Sequence, residues 1–254
     1  MTNSKKLLYC LILLLTVCGT ALRAQDPPVH VPYSVGEQLE FSVNWTVGNI
    51  GTAWMNVTAV DSFGSEQVFR IEAGANSNKT IDLFYPVRDR FVSLIDTDGL
   101  FPHKFIKHQK EGKHEEYREF VFLQDELIRL DLVRGDTADI VYQQQDELSI
   151  FYYFRTLDLQ VGRGLLLENF VDKKGNPLKV AVVRTEWVEV PAGRFFCYVV
   201  EPYIKSGGLF QHKGNLQIWI TSDSNRIPVK VASNLDIGKI VVLLESYRLG
   251  NGSG

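Results

Sequence analysis

Five histidines and three cysteines are the side chains best suited to metal or covalent chemistry. His108 and His114 flank Glu111-Gly112 and stand near Glu115, residue types that could hold a metal ion. If Glu111-Gly112 forms a two-residue hairpin turn, His108 lies opposite Glu115 and His114 opposite Gln109. Successive strand residues point to opposite faces, so the two imidazoles then look away from each other and share no ion. The segment reads as a polar hairpin tip, and neither a metal nor a cofactor is expected.

Nucleophilic chemistry has as little support. There is no Gly-x-Ser-x-Gly elbow, and Ser149 and Ser206 have no base beside them in sequence. Cys197 sits within Phe195-Phe196-Cys197-Tyr198-Val199, where a thiol behaves as a small buried hydrophobe with a raised pKa. Gly162-Arg163-Gly164 and Gly207-Gly208 lack the strand-to-helix setting of a phosphate loop. The carboxylates are scattered along strands and turns. No catalytic motif emerges, and a hydrolase would need a Ser, His or carboxylate cluster assembled by the fold alone.

The aromatic residues stand out instead. Phe84 and Tyr85 close one short helical turn, Phe151, Tyr152 and Phe154 fill a second helix, and Phe210 and Trp219 follow late in the chain. These seven are the candidate ligand-binding residues, for a hydrophobic or lipid-like ligand held on the concave side of a sheet. The competing reading is that the rings are simply core.

The elements that would carry them are strands. Leu39, Phe41, Val43 and Trp45 alternate with Glu40, Ser42, Asn44 and Thr46, and the same period of two resumes after Gly48-Asn49-Ile50-Gly51 and after Asp61-Ser62-Phe63-Gly64. That is a three-stranded meander. Further strands are expected at 90–96, 103–110, 115–123, 127–133, 139–143, 179–190, 195–204, 216–221, 228–235 and 239–247. Roughly a dozen strands are too many for a flat sheet. The expected fold is all-β: a large curved antiparallel sheet, or open β-barrel-like domain, with one or two short helices.

Residues 78–84 read as a helical turn stopped by Pro86. Asp146 is a good N-cap for a helix reaching about Leu157. On it Leu148, Phe151, Tyr152 and Arg155 share one face, and Ile150, Tyr153, Phe154 and Leu157 another, so the helix should be buried. It would also join two halves, residues 33–145 and 158–249, of one domain.

The N-terminus predicts an address. Lys5 and Lys6 precede an apolar run from Leu7 to Val17, and Ala24-Gln25 is a cleavage edge, so residues 1–24 read as a signal peptide and residues 25–254 as the mature domain. The run is too short to span a bilayer, and no transmembrane segment is expected in the mature chain. The protein is therefore expected to be exported, to the periplasm, the envelope or the medium. Removing Lys5, Lys6 and Arg23 takes the formal charge from −3 to −6, which disfavours nucleic acid as a partner. Cys18 follows the branched Val17, where a lipid-attachment signal prefers a small residue. Asp136-Thr137-Ala138 resembles a short acceptor motif for bacterial O-glycosylation.

Several stretches together resemble a known family. Leu83-Phe84-Tyr85-Pro86-Val87-Arg88-Asp89-Arg90 and Tyr152-Tyr153-Phe154-Arg155-Thr156 are similar to signatures of the bacterial exported proteins grouped as DUF3108. So are Gly36-Glu37-x-Leu39, Val190-Pro191-Ala192-Gly193, Glu201-Pro202, Gly207-Gly208-Leu209-Phe210, Trp219-Ile220 and Ile227-Pro228. The resemblance implies a strand-rich envelope protein without an assigned activity. By analogy of shape with lipid carriers it allows a cradled acyl chain, although fold does not fix function. The alternative is a structural or interaction module that docks on other envelope proteins and holds no small molecule.

Overall fold

The computed structural model describes residues 30–251, apart from 47, 169, 172, 173, 176, 177, 207, 208, 213–215, 236 and 237. The signal-peptide reading and Cys18 lie outside the described residues. Strands are β1 Gln38–Trp45, β2 Gly48–Phe63, β3 Glu66–Ser77, β4 Arg88–Asp96, β5 Pro102–Glu111, β6 His114–Leu123, β7 Ile128–Asp131, β8 Asp136–Asp139 and β9 Gly164–Leu167. They continue with β10 Phe170–Val171, β11 Lys174–Gly175, β12 Leu178–Val190, β13 Gly193–Ser206, β14 Leu209–His212, β15 Gln217–Thr221, β16 Pro228–Leu235 and β17 Gly238–Arg248. Helix α1 is Lys79–Asp82 and α2 is Ser149–Arg155.

Fifteen strands form one antiparallel sheet in the order β8-β7-β6-β5-β4-β3-β2-β1-β17-β16-β15-β13-β12-β9, with β14 beside β13; β10 and β11 pair separately. The all-β expectation holds. Most predicted strands match to within one or two residues. The segment 139–143 does not. Asp131 Oδ1 accepts from the Val133 and Arg134 amides, and Gly135 adopts a φ of +71°, so the chain reverses early and β8 is Asp136–Asp139. Strands β9, β10, β11 and β14 are not among those expected, being too short to show periodicity.

The sheet must curl. Leu148 and Tyr152 pack in one core cluster with Ile71, Phe105 and Phe120, from β3, β5 and β6. Ile150 and Phe154 pack in another with Val180, Val182, Val200 and Ile220, from β12, β13 and β15. Eight strand-to-strand steps separate β5 from β13 in the sheet order, which is about 38 Å across a flat sheet. A seven-residue helix is only about 10 Å long and about 10–12 Å wide. It reaches both flanks because the sheet wraps around it. The two faces of α2 read from the sequence are thus its two packing faces, except that Phe151, expected to be buried beside Leu148 and Tyr152, is 44% exposed, and the helix is shorter than the span 146–157.

The barrel stays open. Among the described residues no ladder joins edge strands β8 and β9, and the gap is crossed by the Gln145 amide, which donates to the Glu168 carbonyl at 3.0 Å.

The β5–β6 hairpin turns one residue later than expected, at Gly112-Lys113, so His108 faces Tyr117 and His114 faces Glu111. The imidazoles still lie on opposite faces, and His108 Nε2 meets Glu115 Oε1 at 2.9 Å. Gly112 has a φ of +61°, and a Cβ built there would stand 2.7 Å from Tyr85 Cε2. We expect Gly112→Ala to cost about 1–2 kcal/mol in urea denaturation, from left-handed strain plus the ring displaced. A neutral substitution would mean that the Tyr85 loop does not dock on the hairpin.

Candidate functional site

An aspartate three residues ahead of α2, whose N-cap position is Leu148, braces the start of the helix. Asp146 Oδ1 accepts from the Leu148 and Ser149 amides, both at 2.7 Å, and Ser93 Oγ on β4 donates to Asp146 Oδ2 at 2.6 Å. The carboxyl is fully buried. Desolvation pushes its pKa up to about 6, against the pull of these hydrogen bonds, and the neighbouring Glu147 charge adds to the rise. Glu147 itself is paired with Lys107 at 3.3 Å.

The far end of α2 is clamped by an ion pair. Arg155 Nη1 and Nη2 donate to Glu37 Oε1 and Oε2, each at 2.7 Å, and Nη2 also donates to the carbonyls of Pro32 and Asn225. The side chains are 1% and 0% exposed. Burial opposes the guanidinium charge, but Glu37 outweighs it and holds the Arg155 pKa above its usual value. The rings of Tyr33 and Tyr152 lie 5.3 and 5.2 Å from the Arg155 guanidinium carbon and meet edge to face. Burial pushes both phenols above the usual tyrosine range.

Between α2 and the sheet lies an apolar cavity of about 320 Å³. Ile150, Phe151 and Phe154 form its helical wall; Val180, Val200, Ile218 and Ile220 form the strand wall, with Leu167, Leu178 and Leu216 at one end. Glu147 and Arg155 are the charged residues in the lining. A second cavity of about 310 Å³ lies against β2, β3 and β4, lined by Ala53, Ala73, Gly74, Ala75 and Phe91. Met55, Glu147 and Phe151 border both, so Phe151 stands between them.

The seven candidate aromatics are not brought together. Phe151 and Phe154 line the cavity. Tyr152 is wholly buried in the core cluster on the other face of the helix. Phe84 and Tyr85 are exposed, beyond α1. Trp219 packs with Leu39, Cys197 and Val199 on the sheet face opposite Ile218 and Ile220, where its indole donates to Glu186 Oε1 at 2.6 Å. The Phe210 side chain lies outside the described residues. Of the two neighbours of Trp219, either isoleucine would have been the better choice, and strand alternation carries that signal. Glu37, Asp146, Glu147 and Arg155 complete the site; their pairing over 118 positions of sequence, for Arg155 and Glu37, has no local signature.

Elsewhere the chemistry is structural. Cys197 is buried, and desolvation pushes its thiol up to about 12. Arg88 pairs with Asp82 at 2.6 Å, Arg90 pairs with Glu72 at 2.8 Å, and Asp89 accepts from the Lys110 amide. Thr137 is exposed on edge strand β8. Among the described residues no three His, Cys, Asp or Glu side chains stand close enough to hold a metal, and no helix is long and apolar enough to cross a membrane.

The family model described as a protein of unknown function, DUF3108, matches residues 40–245. The chain belongs to the DUF3108 family. That span runs from within β1 to within β17 and so takes in nearly all of the curled sheet. In this DUF3108 protein the stretch Leu83–Arg90 forms the loop after α1 and the start of β4, and Tyr152–Thr156 carries the buried arginine. The fold is similar to that of a β-barrel-like protein of the family DUF1849 from Brucella abortus, with a TM-score of 0.57, 10% identity, and coverage of 86% of this chain and 99% of that one. A DUF1089 family protein from Pseudomonas aeruginosa aligns with a TM-score of 0.38 and 10% identity, over 70% of this chain and 87% of that one. Among curated protein sequences none matches this DUF3108 chain.

Proposed function

We propose that this DUF3108 protein is an exported, envelope-compartment binding protein that holds a hydrophobic or amphipathic, lipid-like ligand beside α2. The observation that carries the reading is the 320 Å³ cavity, walled by branched aliphatic side chains and two phenylalanines. Water gains little from such a lining, and an apolar ligand recovers the contacts that a void forfeits. A volume of this size lies at the lower end of those used for small molecules. Export is supported by Lys5, Lys6 and the apolar run from Leu7 to Val17.

The test is mass spectrometry of organic extracts from protein purified out of its native envelope, alongside Ile218→Trp. The wider side chain projects into the cavity from β15 and should displace the ligand, leaving the fold intact by circular dichroism. A wild-type protein that carries no lipid and takes up no fluorescent fatty acid would sink the reading.

A further inference from the structure

The exposed face that lacks a structural explanation is the loop after α1. Leu83, Phe84 and Tyr85 are 78%, 83% and 51% exposed. Single exposed apolar residues are ordinary, but three large ones in succession are not. Nor is the loop slack. Asn78 Oδ1 caps α1 by accepting from the Thr80 and Ile81 amides at 3.0 Å, Arg88 clamps Asp82, and the Gly112 amide donates to the Pro86 carbonyl. The braced backbone holds Leu83 and Phe84 outward, and the half-exposed Tyr85 ring rests against Gly112 beside them.

Strand register places this wedge. The β3–β4 connection, the β5–β6 turn, and the starts of β2 and β17 lie at one end of the sheet, and Leu167, Leu178 and Leu216 of the cavity wall lie at that same end. Glu37, the anchor of Arg155, belongs to the opposite end.

We propose that Leu83, Phe84 and Tyr85 insert into the surface of an anionic lipid bilayer and seat this end of the barrel on it. The wedge's area decides against a protein partner. Three side chains offer a few hundred Å² on this side, short of the roughly 800 Å² that each partner gives to a standard protein interface. An aromatic and aliphatic tip beside exposed lysines, here Lys79 and Lys113, is the chemistry that suits a headgroup boundary. Of the carboxylates at this end, Asp82 and Glu115 are engaged by Arg88 and by His108 and Lys110, Asp89 accepts from the Lys110 amide, and Glu111 is half-buried where it bridges Val87. Docking adds to the binding reading and is tested apart from it, because vesicle association needs no ligand in the cavity.

The experiment is flotation of the full chain, and of its Leu83→Glu/Phe84→Glu variant, with vesicles of phosphatidylethanolamine and phosphatidylglycerol. The variant should partition roughly tenfold or more weakly. In a second measurement, a fluorophore is attached to Phe84→Cys or to Ser65→Cys at the other end of the sheet. Lipid-borne quenchers should dim the first and spare the second. Equal partition of wild type and variant, or equal quenching at the two positions, overturns the proposal, as does self-association in solution that depends on Leu83 and Phe84. Loss of extractable lipid with docking intact would strike the cavity reading alone.

Discussion

Arg155→Ala should cost about 3–5 kcal/mol in urea denaturation, a large share of the roughly 5–15 kcal/mol that holds a typical domain together. The loss is not the worth of the ion pair. With the guanidinium gone, the Glu37 carboxylate stays at 0% exposure with its partner for both oxygens removed, and the Pro32 and Asn225 carbonyls lose a donor. The rings of Tyr33 and Tyr152 also lose the cation between them. Replacing both charges by apolar side chains of similar size, as in Glu37→Met/Arg155→Met, removes the stranded charge along with the pair. The double variant should therefore be more stable than Arg155→Ala. With the single variants Glu37→Met and Arg155→Met the double closes a cycle that gives a coupling energy, and additive single and double effects would show that the clamp is ornamental. Because this pair fixes the C-terminal end of α2, loosening it should also weaken ligand retention in the cavity beside that helix.

Asp146→Asn should stabilise the protein above about pH 6 and leave it unchanged near pH 4. The sign follows from the direction of the shift. Burial raises the folded-state pKa of Asp146 from 3.8 to about 6, so between those values the native chain holds a proton that the unfolded chain has released. Stability then falls as pH rises through that window, by about 1.4 kcal/mol per pH unit and about 3 kcal/mol in all. Carboxyls whose pKa is lowered, among them Asp82, Asp96, Asp131 and Glu186, contribute in the opposite direction at lower pH. The comparison with Asp146→Asn isolates the one group. Asparagine keeps the oxygen that accepts from the Leu148 and Ser149 amides and offers an N–H to Ser93 Oγ, which is the bonding of the protonated acid. Denaturation midpoints from pH 4 to pH 8 should diverge between pH 4 and 6 and run parallel above. A constant difference across the range would place the titration elsewhere.

These two residues show how the site was and was not legible. Asp146 is readable as a helix start, because a carboxylate before an apolar helical run satisfies free amides. Its burial is not, since Ser93 comes from a strand 53 positions away. Arg155 and Glu37 both fall in stretches that resemble the family, yet nothing local says that they touch. A similar gap explains Trp219. Aromatic character drew notice to it, but the cavity belongs to its neighbours on β15.

By itself the sequence determined the longer strands, their alternation and most of the apolar facing of α2, because those follow from local φ/ψ preference and side-chain period. It also determined that so many strands had to bend. Only the tertiary structure decided which face became the inside. On β13 both Val199 and Val200 are buried, one against the core under β1 and β17 and the other toward α2. A period of two sorts residues into faces; when curling covers both, distant strands choose where the hollow lies.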